Sequence, residues 1–257
     1  MSYARPHQLA ALTMTTLNRH QADHDRVTVF VADQSQADQY RSVLPDTIKI
    51  KVTTLGHFLS IRAAHMTYDK DTRLLTLDDD ISALEMKDGD KLARFDGSID
   101  DLAHIGFSLC ERFNNRMWGI YPVRNAFYMK DEAVIGLRYL VGCLWGTYAQ
   151  DIAVTTPHRL LESSGNDFET TLQSFRHHGS VTRIEYITVA TKYFADGGID
   201  AELKQRGVSD RQTDHTKTLT RLANRHGSLA RLYTKAGGIT NLRLKSVTDH
   251  RVARHSE

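Results

Sequence analysis

Three consecutive carboxylates, Asp78, Asp79 and Asp80, follow the apolar stretch Leu74-Leu75-Thr76-Leu77. Side chains two apart on a strand point to the same side, so extended geometry brings Asp78 and Asp80 together. Two convergent carboxylates repel unless a positive charge lies between them. Mg²⁺ or Mn²⁺ meets that need through oxygen ligands and keeps positions for water and phosphate oxygens. A lone aspartate here serves equally well as the N-cap of a following helix, but capping accounts for one carboxylate of the three. A divalent-metal phosphate site held by Asp78 and Asp80 is therefore expected, a chemistry common to nucleases, phosphatases and glycosyltransferases.

The elements around that run alternate between two hydrophobic periods. Pro6 opens a helical pattern with Leu9, Leu12 and Leu17, and Val27 to Val31 is a β-branched strand. A second helix carries Ala37, Tyr40 and Val43 behind a cap at Ser35 and ends at Pro45, before the strand Ile48 to Val52. A third helix covers Phe58 to His65, ahead of the strand Leu74 to Leu77. Such units predict an α/β chain with a mainly parallel sheet flanked by helices, its ligands at the carboxyl ends of the strands. Those ends are Asp33, Thr53 to Gly56, and Asp78 to Asp80.

The second half predicts a mixed α+β arrangement. It has a helix from Ile99 to Arg112, an aromatic segment from Met117 to Met129, a strand from Leu137 to Val141 and helices at Leu160 to Ser163 and Glu169 to His177. A strand at Ile184 to Ala190, a turn at Gly197-Gly198 and a helix at Thr216 to Arg225 follow.

With 257 residues and 40% apolar composition, the chain suits one large domain. Its formal charge of +2 excludes a sequence-wide polycation, so any nucleic-acid contact is local. The C-terminal part is the basic exception, with Arg221, Arg225, Arg231, Lys235, Arg243, Lys245, Arg251 and Arg254 facing few carboxylates. Cys110 and Cys143 lack CxxC spacing, which argues against a zinc cluster or disulfide framework and fits a reducing cytoplasm. No apolar run reaches membrane-spanning length and no leader pattern follows Met1.

The ordered motifs Tyr3-x-Arg5-Pro6, Thr16-Leu17-Asn18, Val27 to Asp33, Tyr40 with Val43-Leu44-Pro45, and Leu74 to Ile81 resemble the TET/JBP-associated glycosyltransferases. The likeness continues through Trp118 to Pro122, Val141-Gly142, Asn166 to Glu169, Gly179 to Arg183 and Gly197-Gly198. Where the family pattern has a Gly-rich turn and an Arg-Asn pair, this chain has Gly56 and Ile61-Arg62-Ala63. The resemblance implies a GT-A-like, Rossmann-type fold with a nucleotide-sugar half (1–98) and an acceptor half with the basic tail (99–257). It also implies transfer of a sugar, most familiarly glucose from UDP-glucose, to the hydroxyl of a 5-hydroxymethylpyrimidine in DNA. The pyrimidine is 5-hydroxymethylcytosine or 5-hydroxymethyluracil, and the setting is a phage protein in the cytoplasm of its bacterial host.

Site roles follow from that resemblance. Asp78 and Asp80 hold Mn²⁺ or Mg²⁺ and Asp79 faces the donor's ribose or sugar. Arg5 and Arg62 are candidates for the diphosphate, because guanidinium groups match phosphate oxygens, with a flexible N-terminal residue the competing role for Arg5; Arg183 meets the diphosphate or DNA. Asp33 accepts from the base, or caps the helix after it. Asp167 is the general base and Glu169 the second choice, with helix capping the competing role for Asp167. A third metal ligand comes from His226 or His250. An enzyme acting on a base must flip it or meet it single-stranded, so Trp118, Tyr121, Phe127 and Tyr128 beside Arg116 and Arg124 are acceptor contacts or, alternatively, core packing. A metal-dependent phosphoesterase or nuclease, and a non-catalytic DNA-binding module of the same fold, are the rival functions.

Overall fold

The structure, a computed structural model, describes residues 2–155, 165–191, 207, 211–235, 238–245, 247 and 249–254. Pro6, whose missing N–H costs nothing in a first turn, opens α1 (Pro6–Leu9). The helix widens into a π-helical turn (Ala10–Met14) and resumes as α2 (Thr15–Arg19). Strand β1 (Thr28–Val31), helix α3 (Gln34–Arg41) and strand β2 (Lys49–Val52) form one βαβ unit, with β1 parallel to β2. Asp33, rather than Ser35, caps α3 by accepting from Gln36 N at 2.8 Å. Helix α4 (His57–Met66) and strand β3 (Arg73–Leu77) follow.

Next come β4 (Ile81–Asp88), β5 (Lys91–Arg94) and α5 (Ile99–Arg112), the last held by a reciprocal cap between Ser98 and Asp101. The later elements are β6 (Met117–Ile120), β7 (Glu132–Gly136), β8 (Leu144–Tyr148), α6 (Ile152–Thr155) and α7 (Asn166–His178). They continue with β9 (Val181–Ile184), β10 (Ile187–Thr191), α8 (Arg211–Arg225), β11 (Ala230–Thr234), β12 (Thr240–Leu244) and β13 (His250–Ala253).

The chain is a mixed α/β protein, but its sheet is not mainly parallel. The largest sheet runs β13-β7-β9-β6-β8-β3, and within it only β6 and β9 are parallel. Strand β3 pairs with β8, while a cavity of about 980 Å³ lies between it and β1. The β1–β2 pair is thus cut off from the strand that a continuous parallel sheet would have set beside it. Two further expectations fail locally. Residues 137–143 form a partly buried loop instead of a strand, and Ile184 to Ala190 is split by a turn at Glu185-Tyr186 into strands of two different sheets. The β4–β5 hairpin had a sequence signal, Asp88-Gly89-Asp90 between alternating apolar residues, with Gly89 at φ 57°. It joins β10 in a three-stranded antiparallel sheet. The segments 160–163 and 197–198 lie outside the described residues, and among those described no helix is long and apolar enough to cross a membrane.

Trp118 anchors the packing of α5 on the large sheet. It is 0% exposed, with Phe107 edge-on at 5.8 Å. Its indole is sandwiched by two glycines: a Cβ added at Gly106 or Gly146 would fall 2.1 Å from an indole atom. An indole so enclosed offers no face to a base, which corrects the assignment of Trp118 to the acceptor. Ala exceeds Gly in helix propensity by about 1 kcal/mol. In Gly106→Ala the clash outweighs that gain, and a net loss of about 3 kcal/mol is expected in urea unfolding. An unchanged midpoint would contradict this packing.

Candidate active site

The aspartate run is a turn between strands, because β3 ends at Leu77 and β4 starts at Ile81. Strand alternation therefore does not orient these side chains. Thr13, in the π-helical turn, does so by bracketing the run: its Oγ1 donates to Asp78 O at 2.8 Å and accepts from Ile81 N at 3.0 Å. Thr16 Oγ1 donates to Ile81 O at 3.0 Å, and Asp78 N donates to Cys143 O at 3.0 Å. The turn is thus gripped from both sides through its backbone, which leaves the three carboxylates out of that grip.

Asp79 turns inward. It is 5% exposed and accepts from Ser2 Oγ at 2.6 Å and from Arg5 Nη1 at 3.4 Å. Ser2 also bonds to Tyr40 Oη, which accepts from Arg5 N at 3.0 Å. Asp79 and Arg5, expected from sequence to meet the donor's sugar and diphosphate, therefore fasten the N-terminal segment to α3. Asp80 differs: its buried Oδ1 has no hydrogen-bond partner among the described residues. Burial, reinforced by Asp79 and opposed by Arg5, pushes the Asp80 carboxyl up to about 6. Burial above all, and then the carboxylates of Asp80, Asp79 and Asp167, push Asp78 up to about 8. Asp78 keeps some exposed surface, yet the cleft walls withhold the hydration that its ionised form needs.

Asp167 reaches the same place from the other half of the chain. It lies in the first turn of α7, and its Oδ2 accepts from Tyr139 Oη at 2.7 Å and from Gly142 N at 3.2 Å. Adjacent residues of the 137–143 loop therefore fix the two acids: Gly142 holds Asp167 and Cys143 holds Asp78. A Cβ on Gly142 would sit 3.3 Å from the Asp167 carboxyl, so a larger residue would crowd this junction. Burial, with the carboxylates of Asp78, Asp167 and Asp80, raises the Cys143 thiol well above its ordinary value, so it remains protonated. Arg183 supports the loop by donating to Tyr139 O at 3.2 Å, while it pairs with Glu185 at 2.7 Å and lies 5.3 Å over the Tyr121 ring.

An imidazole that feels these acids is His57, the first residue of α4, which stands in the connection after β2 and was not among the candidates from sequence. Burial lowers its pKa, against the opposing charges of Asp167 and Asp79, so it is neutral near pH 7. His226 is excluded from a metal role. It is 0% exposed and its Nε2 is 3.0 Å from Glu169, which also pairs with Arg225 at 3.3 Å. Burial favours protonation of Glu169, but His226, Gln173 and Arg225 outweigh it and leave the carboxyl below its ordinary value. Locked in this way, Glu169 is a structural ion-pair partner and is corrected as a catalytic base. His250 stacks on Phe113 at 6.3 Å, on the edge strand β13.

The remaining candidates divide clearly. Arg62 lies on α4 with Nε unpartnered among the described residues, and so retains a donor. Asp33 is committed to its cap. Arg116 pairs with Asp151 at 2.6 Å and with Asp71, and Arg124 holds Glu85 through two nitrogens, so neither offers free charge to DNA. Tyr121 lies beneath Arg183. Phe127 and Tyr128 are 79% and 60% exposed and pack edge to face at 5.0 Å, which leaves aromatic surface open in the β6–β7 connection. The large cavity touches this chemistry only at Asp78; its walls include neither Asp80 nor Asp167 and are mainly apolar.

Among the described residues no three His, Cys, Asp or Glu side chains are arranged to hold a metal ion. Asp78 and Asp80 still fit a hard divalent cation in one respect: both carboxyls are deprived of water, and Asp80 Oδ1 lacks a donor. Mg²⁺ commonly takes one or two carboxylates and completes its shell with water and phosphate oxygens. No family model and no curated protein matches the chain. The glycosyltransferase resemblance thus stands on the ordered motifs alone.

Both carboxyls titrate higher in the folded protein than their ordinary value of 3.8. The native state then holds protons that the unfolded chain has released, so metal-free stability should fall as pH rises from about 4 to about 8. Denaturant titrations at pH 5 and pH 8 should show that decline, with much of it gone in Asp78→Asn. The same slope in the variant would rule out Asp78 as its source.

Proposed function

We propose that this chain is a metal-dependent glycosyltransferase that moves a sugar from a nucleotide-sugar donor to a hydroxymethylpyrimidine in DNA. The observation that carries the reading is the convergence of the Asp78–Asp80 turn and Asp167 on the Gly142-Cys143 loop. Acids for a donor diphosphate site and an acid for the acceptor hydroxyl thereby share one loop, as a single displacement requires.

In that displacement the bond from the anomeric carbon to the diphosphate oxygen breaks as the acceptor oxygen attacks from the opposite face. Asp167 takes the hydroxyl proton. Both hydrogen bonds to this carboxylate fall on Oδ2, so Oδ1 is the oxygen left for the acceptor among the described residues. Tyr139 and Gly142 hold the carboxylate in orientation, which suits a base that must act at one fixed angle. Asp78 and Asp80 would hold Mg²⁺ or Mn²⁺, whose charge offsets that building on the departing diphosphate. Arg62 is the guanidinium that remains for the donor phosphates, while Phe127 and Tyr128 offer aromatic surface for an unstacked base. Glucose and UDP are the sugar and nucleotide implied by the resemblance. A phosphoesterase would need more acids at neighbouring strand ends, and Asp33 there is occupied as a cap.

Incubation with UDP-glucose, Mn²⁺ and hydroxymethylated DNA should yield glycosylated nucleoside, detected by mass. Asp80→Asn should abolish transfer with the melting temperature retained, and Asp167→Asn should lower kcat by about 10²–10⁴-fold. Full activity in Asp80→Asn would remove the metal role, and strand cleavage in place of transfer would favour the nuclease reading.

A further inference from the structure

We propose that α8 together with the β11–β12 ribbon is a phosphate-binding arm that holds a nucleic-acid duplex beside Asp167. The transferase reading supplies the reason for presenting a duplex there, whereas the binding itself is argued from charge and geometry.

Residues 211–245 contain eight Lys or Arg and a single acid, Asp214, in a chain whose formal charge is only +2. Arg225, one of these eight, is neutralised by Glu169, as are Arg251 by Glu132 and Arg254 by Asp131 beyond the ribbon. Lys217, Arg221, Arg231, Lys235 and Arg243 are exposed and have no carboxylate partner among the described residues. Lys217 and Arg221 are four residues apart and so share one side of α8.

The ribbon divides by alternation. Ala230 and Leu242 are buried with Leu219 and Leu222 of α8. The opposite face sets Arg231 directly against Arg243, with Tyr233 next along and the Arg243 guanidinium 4.7 Å over its ring. Like charges facing each other across an antiparallel ladder destabilise the pair. Arg243 gains a ring contact, but the facing of two arginines remains repulsive, whereas a phosphodiester relieves that repulsion, and guanidinium groups can grip phosphates bidentately. A two-stranded ribbon also has dimensions that enter a duplex major groove. The unit lacks the broad apolar face that membrane attachment needs, since Leu232 and Ile239 are its exposed large hydrophobics.

The arm is placed for the site it would serve. Arg225 and His226, at the end of α8, both hold Glu169, two residues from Asp167 on α7. Leu137 and Leu172 join the same apolar cluster as Leu219 and Leu222, so the arm packs on the helix and loop that position the proposed base.

Fluorescence anisotropy of a labelled duplex of ordinary bases, across a salt series, tests the arm without requiring catalysis. Wild type should bind with steep salt dependence. Arg231→Glu/Arg243→Glu should weaken binding by about tenfold or more and reduce the log–log salt slope by about two. UDP-glucose binding in the same samples should be unchanged. If charge reversal prevents folding, Arg231→Gln/Arg243→Gln decides, since it removes charge without adding repulsion. Unchanged duplex affinity in the folded variant, no duplex binding by wild type, or tighter binding to phosphatidylserine vesicles than to duplex would each overturn the arm. Duplex binding that maps to the arm, in a protein that transfers no sugar, would keep this inference and sink the transferase reading.

Discussion

The arrangement depends on two hydrogen bonds made by neighbouring residues of one partly buried loop. Gly142 N–H reaches the Asp167 carboxylate and Cys143 C=O receives Asp78 N–H, so acids 89 positions apart in sequence are set by two adjacent residues. A partly buried loop survives because its polar groups find partners: Tyr139 O takes Arg183 Nη1, and Leu140 N donates to Thr171 Oγ1 at 3.3 Å. The glycine suits the space, since a Cβ there would come within 3.3 Å of the Asp167 carboxyl. The rest of the site is arranged around this junction. Thr13 grips the aspartate turn from the N-terminal helix, and the Ser2–Tyr40–Asp79–Arg5 network ties that helix to α3.

The electrostatics of the run divide three like residues into two kinds. Asp79 is satisfied by donors inside the fold, whereas Asp78 and Asp80 are deprived of water with little given in return. A carboxyl held that way either binds a proton or welcomes a cation, and the balance shifts with pH and with divalent ions. Glu169 illustrates the opposite outcome. It is more deeply buried, at 2% exposure, but His226, Arg225 and Gln173 satisfy its charge, and it acts in packing α8 against α7.

Much of this was legible in sequence where periodicity and punctuation agree. The βαβ unit, α5 and the body of α7 from Glu169 onward follow from apolar spacing and Pro45, whereas the first turn of α7, which carries Asp167, begins three residues earlier than that spacing shows. The sheet was not legible, because pairing partners are long-range: β3 finds β8, and the cavity beside β1 leaves no signal in local pattern. Leu137 to Val141 shows why an apolar run is ambiguous, since a partly buried loop and a buried strand have the same composition. Trp118 and Glu169 were misassigned because a functional residue type says nothing of its enclosure: two glycines far apart in sequence seal the indole, and a histidine 57 positions away claims the carboxylate. His57 was reachable, since it stands in the connection after β2.

Calorimetric titration of UDP into wild type and Asp78→Ala, each with and without Mn²⁺, tests the central claim most directly. The acids gathered at this loop should make UDP binding depend on Mn²⁺ in wild type and should lose that dependence, with most of the affinity, in the variant. UDP affinity that is the same with or without Mn²⁺, or that survives intact in Asp78→Ala, would contradict a metal-bridged donor site.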